Sequence, residues 1–313
     1  MESYDLIIVG AGPAGLSAGI YAQQRKLKTK ILEANEIGGQ PKTLYPEKLI
    51  YDYPGFLKIT GRELMLKITE QSLNLGCNIL EDAEVFDITI DNKLFTILEN
   101  RNKFITKSVL LATGIGNYSV KHLNIDGEER LRNKGIYYQQ TPKILTRKRI
   151  VVIGGGDTAL ECAVSCAEKG AYVTLIHRSE KFRAVEEIVS KAKSLGVKIY
   201  LNSNIKKING ENYLENIELE SDNHEKTIIS TDYLSICIGM ELNTKFVTKI
   251  GVKIDRQAVV INSDMQTSIP GMFACGDIVA PLGSFKRLTM ATASAALAIN
   301  GVYKYLKHPY WNK

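Results

Sequence analysis

Two glycine-rich stretches carry the residue types and spacing that best fit binding chemistry. The first places Gly10, Gly12 and Gly15 in a G-x-G-x-x-G pattern directly after the apolar run 6–9. Such glycines let a backbone turn approach a pyrophosphate, and free N–H groups at the start of the next helix meet its charge. Glu33 ends the following apolar run, 18 residues after Gly15, where a carboxylate accepts hydrogen bonds from ribose hydroxyls. The pattern predicts a dinucleotide site, with a ligand-free glycine turn as the alternative. The candidate residues are Gly10, Gly12, Pro13, Ala14, Gly15 and Glu33.

The same pattern returns in the middle of the chain. Gly154 and Gly156 follow the apolar run 149–153, and the third glycine is replaced by Ala159, a small residue that the packing position permits. Arg178 stands 19 residues after Ala159, where the first stretch has an acid. A cation there suits a 2′-phosphate, so the first site fits FAD or NAD and the second fits NADP; a solvated basic loop is the alternative. The candidate residues are Gly154, Gly156, Asp157, Thr158, Ala159, His177, Arg178, Ser179 and Arg183.

These turns need strands before them and helices after them. Runs 6–9 and 29–32 predict strands around a helix that ends near Arg25, and runs 149–153 and 172–176 repeat the arrangement. We therefore expect an α/β protein with two Rossmann-like, three-layer dinucleotide-binding domains. Two such domains with opposite ribose signals describe a flavoprotein that exchanges hydride with a nicotinamide, since a single-cofactor dehydrogenase needs only one.

Composition sets limits on the class of protein. The chain has 313 residues, which fits roughly two domains, and its 44% hydrophobic and 24% charged residues are those of a globular protein. A net charge of +6 is too mild for a nucleic-acid-binding surface, and we expect no nucleic-acid partner, no membrane span and no metal site. Five scattered cysteines favour a reducing compartment, the cytoplasm. The uncharged run 6–22 contains glycines and a proline, which argues against a signal peptide.

Several further motifs resemble those of thioredoxin reductase-like pyridine-nucleotide flavoproteins, and the resemblance covers nearly the whole chain. The matching segments are Gly38-Gly39-Gln40, Ala112-Thr113-Gly114, Ile238-Gly239-Met240 and Gly271-Met272-Phe273-Ala274-Cys275-Gly276-Asp277. In that family the first lies beside the flavin, the second and third are the crossings between domains, and the last is the late flavin motif.

The resemblance implies a nested domain arrangement. A discontinuous FAD domain would comprise residues 1–115 and 243–313, with an NAD(P)H-binding domain inserted at 116–242. Asp277 would hold the ribityl or pyrophosphate portion of FAD. Gly39, Gln40 and Gly114 would join the FAD set, and Gly239 the NADPH set.

One family feature is missing from the sequence. Thioredoxin reductases of this type carry a Cys-x-x-Cys just before the second glycine turn, where this chain reads Tyr-Tyr-Gln-Gln-Thr over 137–141. Cys162 and Cys166 lie four residues apart in the next predicted helix, and we interpret them as buried small apolar residues. Disulfide reduction by the usual route therefore lacks its thiol pair.

The stretch GGQPKTLYPEK over 38–48 resembles the ferredoxin–NADP reductases built on this scaffold. The resemblance implies that Tyr45 stacks on the isoalloxazine ring and that Asp52 hydrogen-bonds to it, an ordinary turn being the alternative. It also implies that the backbone at Lys286-Arg287-Leu288 faces the flavin N1–C2=O edge. Solvated surface is the alternative for Lys286 and Arg287.

Two departures from that family leave questions open. The chain has Ser179 where a second arginine usually follows His-Arg, so NADH is a possible substitute for NADPH. The C-terminal aromatic residues Tyr310 and Trp311 could reach a flavin, but we favour a tail packed on the surface.

The implied function is electron transfer between NADPH and a ferredoxin or a similar small carrier, through FAD, by a homodimer. An NAD(P)H oxidase or diaphorase, a reductase that uses an external thiol, and a non-catalytic flavin redox sensor are the alternatives.

Overall fold

A computed structural model describes residues 3–114, 116, 119–139, 144–241, 245–279 and 286–309. The chain divides into two compact units. Unit 1 comprises residues 1–117 with 242–313, and unit 2 comprises residues 118–241. The assignment of a cofactor to each unit, and the domain limits that go with it, stay a prediction.

The elements are named in chain order. The first segment of unit 1 contains β1 (Ser3–Tyr4), β2 (Leu6–Val9), α1 (Pro13–Gln24), β3 (Thr29–Leu32), α2 (Gly39–Thr43), β4 (Leu49–Ile50), β5 (Ile59–Thr60), α3 (Gly61–Asn74), β6 (Ile79–Leu80), β7 (Val85–Asp91), β8 (Leu94–Glu99), β9 (Lys103–Thr106) and β10 (Val109–Leu111). Unit 2 contains β11 (Ser119–Val120), β12 (Ile136–Tyr138), β13 (Arg149–Ile153), α4 (Asp157–Glu168), β14 (Tyr172–Ile176), α5 (Glu186–Ser194), β15 (Lys198–Tyr200), β16 (Ser203–Asn209), β17 (Asn216–Ser221), β18 (Lys226–Ser230), β19 (Tyr233–Ile236) and β20 (Met240–Glu241). The second segment of unit 1 contains α6 (Lys245–Lys249), β21 (Ile254–Asp255), β22 (Ala258–Val259), β23 (Met272–Ala274), a 3₁₀ turn (Gly276–Ile278) and α7 (Leu288–Lys307).

Unit 1 is built on a parallel sheet in the order β23-β10-β2-β3-β6. All four residues of β2 are buried, as their continuous apolar run predicts for a strand covered on both faces. Helix α1 packs against α3 and α7. The mixed sheet β1-β9-β8-β7 adds Ile88, Phe95 and Ile97 to the same core. The carboxyl end of β2 lies between β3 and β10, where the strand order reverses, which is the usual place for a ligand.

Unit 2 repeats this plan around a parallel sheet in the order β12-β19-β13-β14-β15. Alternate residues of β13 pack into two different hydrophobic cores, because successive side chains point to opposite faces of a strand. Ile150 and Val152 pack with residues of α4 and α5, whereas Val151 and Ile153 pack with the antiparallel sheet β16-β17-β18. The prediction of two Rossmann-like, three-layer domains is thus confirmed.

Helix ends agree with the sequence to within about a residue. Helix α1 ends at Gln24, next to the predicted end at Arg25, and α4 ends at Glu168, before the predicted strand 172–176. Helix α3 has a capping box, in which Thr60 Oγ1 accepts from Glu63 N at 3.2 Å and Glu63 Oε2 accepts from Thr60 N at 3.1 Å. None of the helices within the described ranges is long and apolar enough to cross a membrane.

Candidate functional site

The first glycine turn leaves no room for side chains at two of its positions. Gly10 has φ +106°, and a Cβ built on Gly15 would overlap Gly10 O. Helix α1 therefore approaches the end of β2 more closely than any other residue pair would permit. Gly12 precedes α1 as its N-cap, without a side-chain hydrogen bond, and a Cβ there would meet only Gly39 Cα, at 3.8 Å. The turn thus presents bare backbone and the start of a helix, which suits an anion.

Glu33 is fixed at the end of β3, beside this turn. Its Oε2 accepts a hydrogen bond from Ala11 N at 2.7 Å, and its Oε1 accepts one from Asn35 N at 3.1 Å. Each carboxylate oxygen has a further lone pair, which ribose hydroxyls could use. The sequence spacing predicted this carboxylate, but it did not predict the two backbone donors that orient it.

The segment around Gly39 lies directly against the first turn. Gly38 N donates to Ala11 O at 3.0 Å, and a Cβ built on Gly39 would lie 2.9 Å from Gly12 Cα. Gly39 has φ +59° and begins α2. Two stretches that are far apart in sequence therefore form one backbone surface at the carboxyl edge of the sheet.

The remaining predicted flavin segments reach the same edge. A Cβ built on Gly114, just past β10, would lie 3.6 Å from Gln40 Nε2. A Cβ built on Gly276 would lie 2.9 Å from Ala14 Cβ, and Gly276 N donates to Ser294 Oγ at 3.0 Å. Ser294, on α7, is a structural contributor that sequence reasoning missed, because a serine inside a long helix gives no signal of such a contact.

Asp277 sits half-buried in the 3₁₀ turn beside this surface. Burial raises the pKa of its carboxyl group, and the nearby positive charge of Lys286 opposes that rise. No described residue gives this carboxylate a hydrogen bond. A desolvated carboxylate without partners fits a ligand that brings hydroxyl donors, such as a ribityl chain.

Tyr45 lies in the loop between α2 and β4, and Asp52 lies in the loop between β4 and β5. Tyr45 N donates to Gln40 O at 3.4 Å, and the half-buried Tyr45 ring has Lys48 Nζ 5.6 Å from its centroid. Asp52 Oδ2 forms an ion pair with Arg287 Nε at 3.5 Å. Arg287 is the N-cap of α7 and makes no side-chain cap hydrogen bond, so this pair ties the loop to the start of α7 at Leu288.

The two partners of that ion pair are 235 residues apart in the chain, and sequence spacing gave no sign that they pair. Unit 1 as a whole fits a flavin dinucleotide by three observations: the glycine cradle that a Cβ would fill, the start of α1 without a side-chain cap, and the half-buried carboxylate of Asp277, which accepts no hydrogen bond from the described residues.

The second glycine turn, in unit 2, is equally tight. Gly154 has φ +144°; a Cβ there would overlap Cys237 O and would lie 2.8 Å from Ala159 Cβ. Glycine at position 154 therefore lets the Ala159 methyl group pack directly against the turn. Gly156 is the N-cap of α4, and a Cβ built on it meets nothing within 4 Å. This open face is again beside an uncapped helix start.

His177 directly follows β14, and its side chain is buried. Its ring stacks on Phe182 with centroids 5.3 Å apart, covers Gly155, and places Nε2 3.1 Å from Lys181 O. Burial lowers the pKa of His177, and the positive charges of Arg183 and Arg178 add to that effect. The His177 ring thus packs against the backbone of the glycine turn at Gly155. Its contact with a ligand stays a prediction.

Arg178, Ser179 and Arg183 are exposed on the loop after β14. The loop folds back on the turn, since Arg183 N donates to Gly155 O at 2.7 Å and Val185 N donates to Asp157 Oδ1 at 3.1 Å. Within the described part of the chain, neither guanidinium forms an ion pair. Two cations without acidic partners beside an uncapped helix start fit a nucleotide with a 2′-phosphate.

The thiols of unit 2 form a buried cluster beneath this turn. Hydrogen bonds from Cys166, Cys237 and Ser235 lower the pKa of Cys162. The hydrogen bond to Cys162, with burial, raises the pKa values of Cys166 and Cys237. All three side chains lie in the apolar core against α4. They pack the core and are remote from solvent, as predicted for the pair Cys162 and Cys166.

Two tyrosines of the stretch 137–141, where the Cys-x-x-Cys is missing, contact other residues of unit 2. Tyr137 packs edge-on against Tyr233, with centroids 5.7 Å apart, and Tyr138 OH donates to Glu128 Oε1 at 2.8 Å. Burial and the Glu128 contact raise the pKa of Tyr138. Gln140 and Thr141, like Tyr310 and Trp311, lie outside the described residues. No set of three metal-ligating side chains occurs among the residues that are described.

Fold and geometry together define a protein with two dinucleotide-binding units. A family model described as pyridine nucleotide-disulphide oxidoreductase matches residues 4–298, and the chain belongs to that family. Membership implies FAD and a nicotinamide nucleotide as cofactors.

Named relatives and solved structures agree with this membership. A ferredoxin–NADP reductase of Sulfurisphaera tokodaii is 34% identical over 98% of this chain and 94% of its own length. One of Streptococcus gordonii is 33% identical over 97% and 95%. The crystal structure of Lactococcus lactis thioredoxin reductase superposes with a TM-score of 0.87 at 30% identity, covering 98% of this chain and all of that one. The fold of thioredoxin reductases is therefore shared, and the chain is an oxidoreductase.

The two glycines of the first turn should separate folding from binding. Gly15→Ala should destabilise unit 1 by more than the about 1–3 kcal/mol of an ordinary overpacked core position, because its Cβ would overlap backbone. Gly12→Ala should leave the melting temperature nearly unchanged but weaken flavin affinity about tenfold, because its methyl group projects into the open face. Thermal melting and flavin content after dialysis check both. If Gly15→Ala and Gly12→Ala lost the same amount of flavin and had the same melting temperature, the expected difference between the two glycines would be wrong.

Arg178→Ala should raise the KM for NADPH about 10- to 100-fold, the equivalent of one hydrogen bond to a charged group, and leave the KM for NADH unchanged. Lys193→Ala removes the same charge from the last turn of α5 and serves as the matched control. Steady-state assays with each nucleotide measure the ratio. An unchanged NADPH-to-NADH preference would show that Arg178 does not contact the 2′-phosphate.

The double variant Cys162→Ala, Cys166→Ala should lose about 1–3 kcal/mol of stability while keeping turnover with NADPH within about twofold of wild type. The reason is that these thiols fill the core and take no part in electron transfer. Cys77→Ala, which removes a buried thiol from unit 1, is the control. Abolished turnover in a variant that still melts cooperatively would assign the thiols a redox role.

Proposed function

We propose that the chain is a ferredoxin–NADP reductase, with FAD held by unit 1 and NADPH by unit 2. The observation that carries the proposal is the stretch 137–141 before the second glycine turn: it contains no cysteine, and the Tyr138 hydroxyl donates to the buried Glu128 carboxylate. A thioredoxin reductase fold without its own thiol pair lacks the usual route for disulfide exchange, which favours a partner that accepts electrons directly.

The comparisons support this partner class. Relatives that carry the name ferredoxin–NADP reductase match over nearly the full length of both chains, at 32–34% identity. The structural neighbours named thioredoxin reductase share the fold at 28–30% identity. The names of the relatives and the missing thiols therefore both favour a ferredoxin–NADP reductase over a thioredoxin reductase.

The residues of unit 1 would bind and orient the flavin. The bare turn at Gly12 and the start of α1 would take the pyrophosphate, Glu33 a ribose, and Asp277 the ribityl chain. Tyr45 would cover one ring face and exclude water, and the start of α7 would face the ring edge where negative charge develops. When bound, a flavin takes a hydride from nicotinamide and gives up electrons singly, which is the chemistry that a one-electron carrier requires.

The residues of unit 2 would select the nucleotide. The uncapped start of α4 would take the pyrophosphate of NADPH, and Arg178 with Arg183 would pair with its 2′-phosphate. Ser179 supplies no second adjacent guanidinium, so we expect a preference for NADPH with residual use of NADH.

The carrier is proposed to be a small acidic protein. The chain has 40 basic and 34 acidic residues, and its net charge of +6 favours encounter with a negatively charged partner. Lys286 and Arg287 lie at the start of α7 beside the proposed flavin site and could face such a carrier. A homodimer remains our expectation for the assembly.

The decisive experiment is anaerobic addition of NADPH to the FAD-loaded protein, followed by a ferredoxin with cytochrome c as the final acceptor. We expect NADPH to bleach the flavin and ferredoxin to reoxidise it, with a rate constant for ferredoxin that falls about tenfold or more from low to physiological salt.

Other results of this experiment would identify one of the alternative functions. Rapid NADPH consumption in air without any gain from ferredoxin would identify an oxidase or diaphorase. Turnover that depends on an added dithiol would identify an external-thiol reductase, and flavin that NADPH cannot bleach would identify a sensor. Any of these three results overturns the proposal.

A further inference from the structure

Gln139 joins two strand ends of unit 2. It is the first residue after β12 and adopts φ +56°, which is uncommon for a residue other than glycine. Its backbone N donates to Ile236 O at 3.1 Å, and its side-chain Nε2 donates to Gly239 O at 3.0 Å. The end of β12 is thereby fastened to the segment that follows β19.

Gly239, whose carbonyl accepts the hydrogen bond from Gln139, is exposed to solvent. Gly239 has φ +101°, and a Cβ built on it meets nothing within 4 Å. Its carbonyl accepts a second hydrogen bond, from Lys121 N at 3.2 Å. Two donors therefore fix the orientation of this peptide group.

The held segment borders the second glycine turn. Cys237 O occupies the space that a Cβ on Gly154 would need, and Cys237 N donates to Ile153 O at 2.8 Å. Gly239 comes two residues later, at the carboxyl edge of the parallel sheet where dinucleotides bind in this fold. A shift of Gly239 would therefore change the wall of that site.

A buried carboxylate keeps Gln139 in place. Glu128 is 3% exposed and accepts from Tyr138 OH at 2.8 Å, Leu123 N at 3.2 Å and Asn124 N at 2.7 Å. The end of β12 is thus anchored one residue before Gln139. A strained backbone that its surroundings hold so firmly is the arrangement expected where a site needs fixed geometry.

We propose that Gln139 is a positioning residue for the nicotinamide nucleotide: its amide holds the Gly239 carbonyl and so fixes the bare backbone against which the nucleotide lies. This inference rests on the proposed binding of NADPH by unit 2 and is independent of the electron acceptor. In this chain a side-chain amide thus stands in the stretch where thioredoxin reductases carry thiols.

The test compares two substitutions at this position. Gln139→Ala should raise the Kd and KM for NADPH about three- to tenfold with kcat within about twofold, the effect of one neutral hydrogen bond lost from a binding wall. Gln139→Glu keeps the size of the side chain but replaces the donor with an acceptor, so its loss of affinity should equal or exceed that of Gln139→Ala.

Gln23→Ala is the matched control, because Gln23 Nε2 also donates to a backbone carbonyl, that of Gly76 at 3.1 Å, in unit 1. It should change neither constant. Calorimetric titration with NADPH gives Kd, and ferricyanide as acceptor gives KM and kcat without ferredoxin.

Wild-type affinity for NADPH in Gln139→Ala, or in Gln139→Glu, would overturn the inference while leaving the proposed function intact. A fall in kcat at unchanged KM and Kd would also overturn it. A wild-type protein that bound no NADPH would overturn the proposed function and, with it, this role for Gln139.

Discussion

The contact between a strand end and the start of the next helix governs both halves of this molecule. In unit 1, Gly15 lies so close to Gly10 O that a methyl group has no space, and in unit 2 the same contact joins Gly154 to Ala159 and to Cys237 O. Close approach brings the first N–H groups of each helix to the carboxyl edge of its sheet, where they have no side-chain cap. In each unit this backbone surface is where we propose that the pyrophosphate of a dinucleotide binds.

Charge then distinguishes two surfaces of the same shape. Beside the first turn, Glu33 offers a carboxylate held by two backbone donors, which suits ribose hydroxyls and repels a 2′-phosphate. Beside the second turn, Arg178 and Arg183 offer two guanidinium groups, and the buried ring of His177 supports the loop that carries them. One packing arrangement, used twice with opposite charge, would thus account for the two different nucleotides that we propose for this chain.

The sequence predicted the local parts of this arrangement well. Strands such as β2 and β13 were predicted because their apolar runs are bounded by glycines, and Glu33 and Arg178 because they lie at a fixed offset from those glycines. These features depend on neighbours within about 20 residues, a distance over which strand and helix geometry determine position. The missing thiols before β13 were also readable directly, and they restrict the chemistry more than the composition does.

Contacts between distant segments required the folded chain. The ion pair of Asp52 with Arg287 and the bond from Gln139 to Gly239 join residues whose spacing follows no local period. By itself the sequence determined which elements form and which charges stand at their ends, because local backbone geometry sets both. Only the tertiary structure decided which of those ends meet, because the order of strands in a sheet depends on the packing of the whole core.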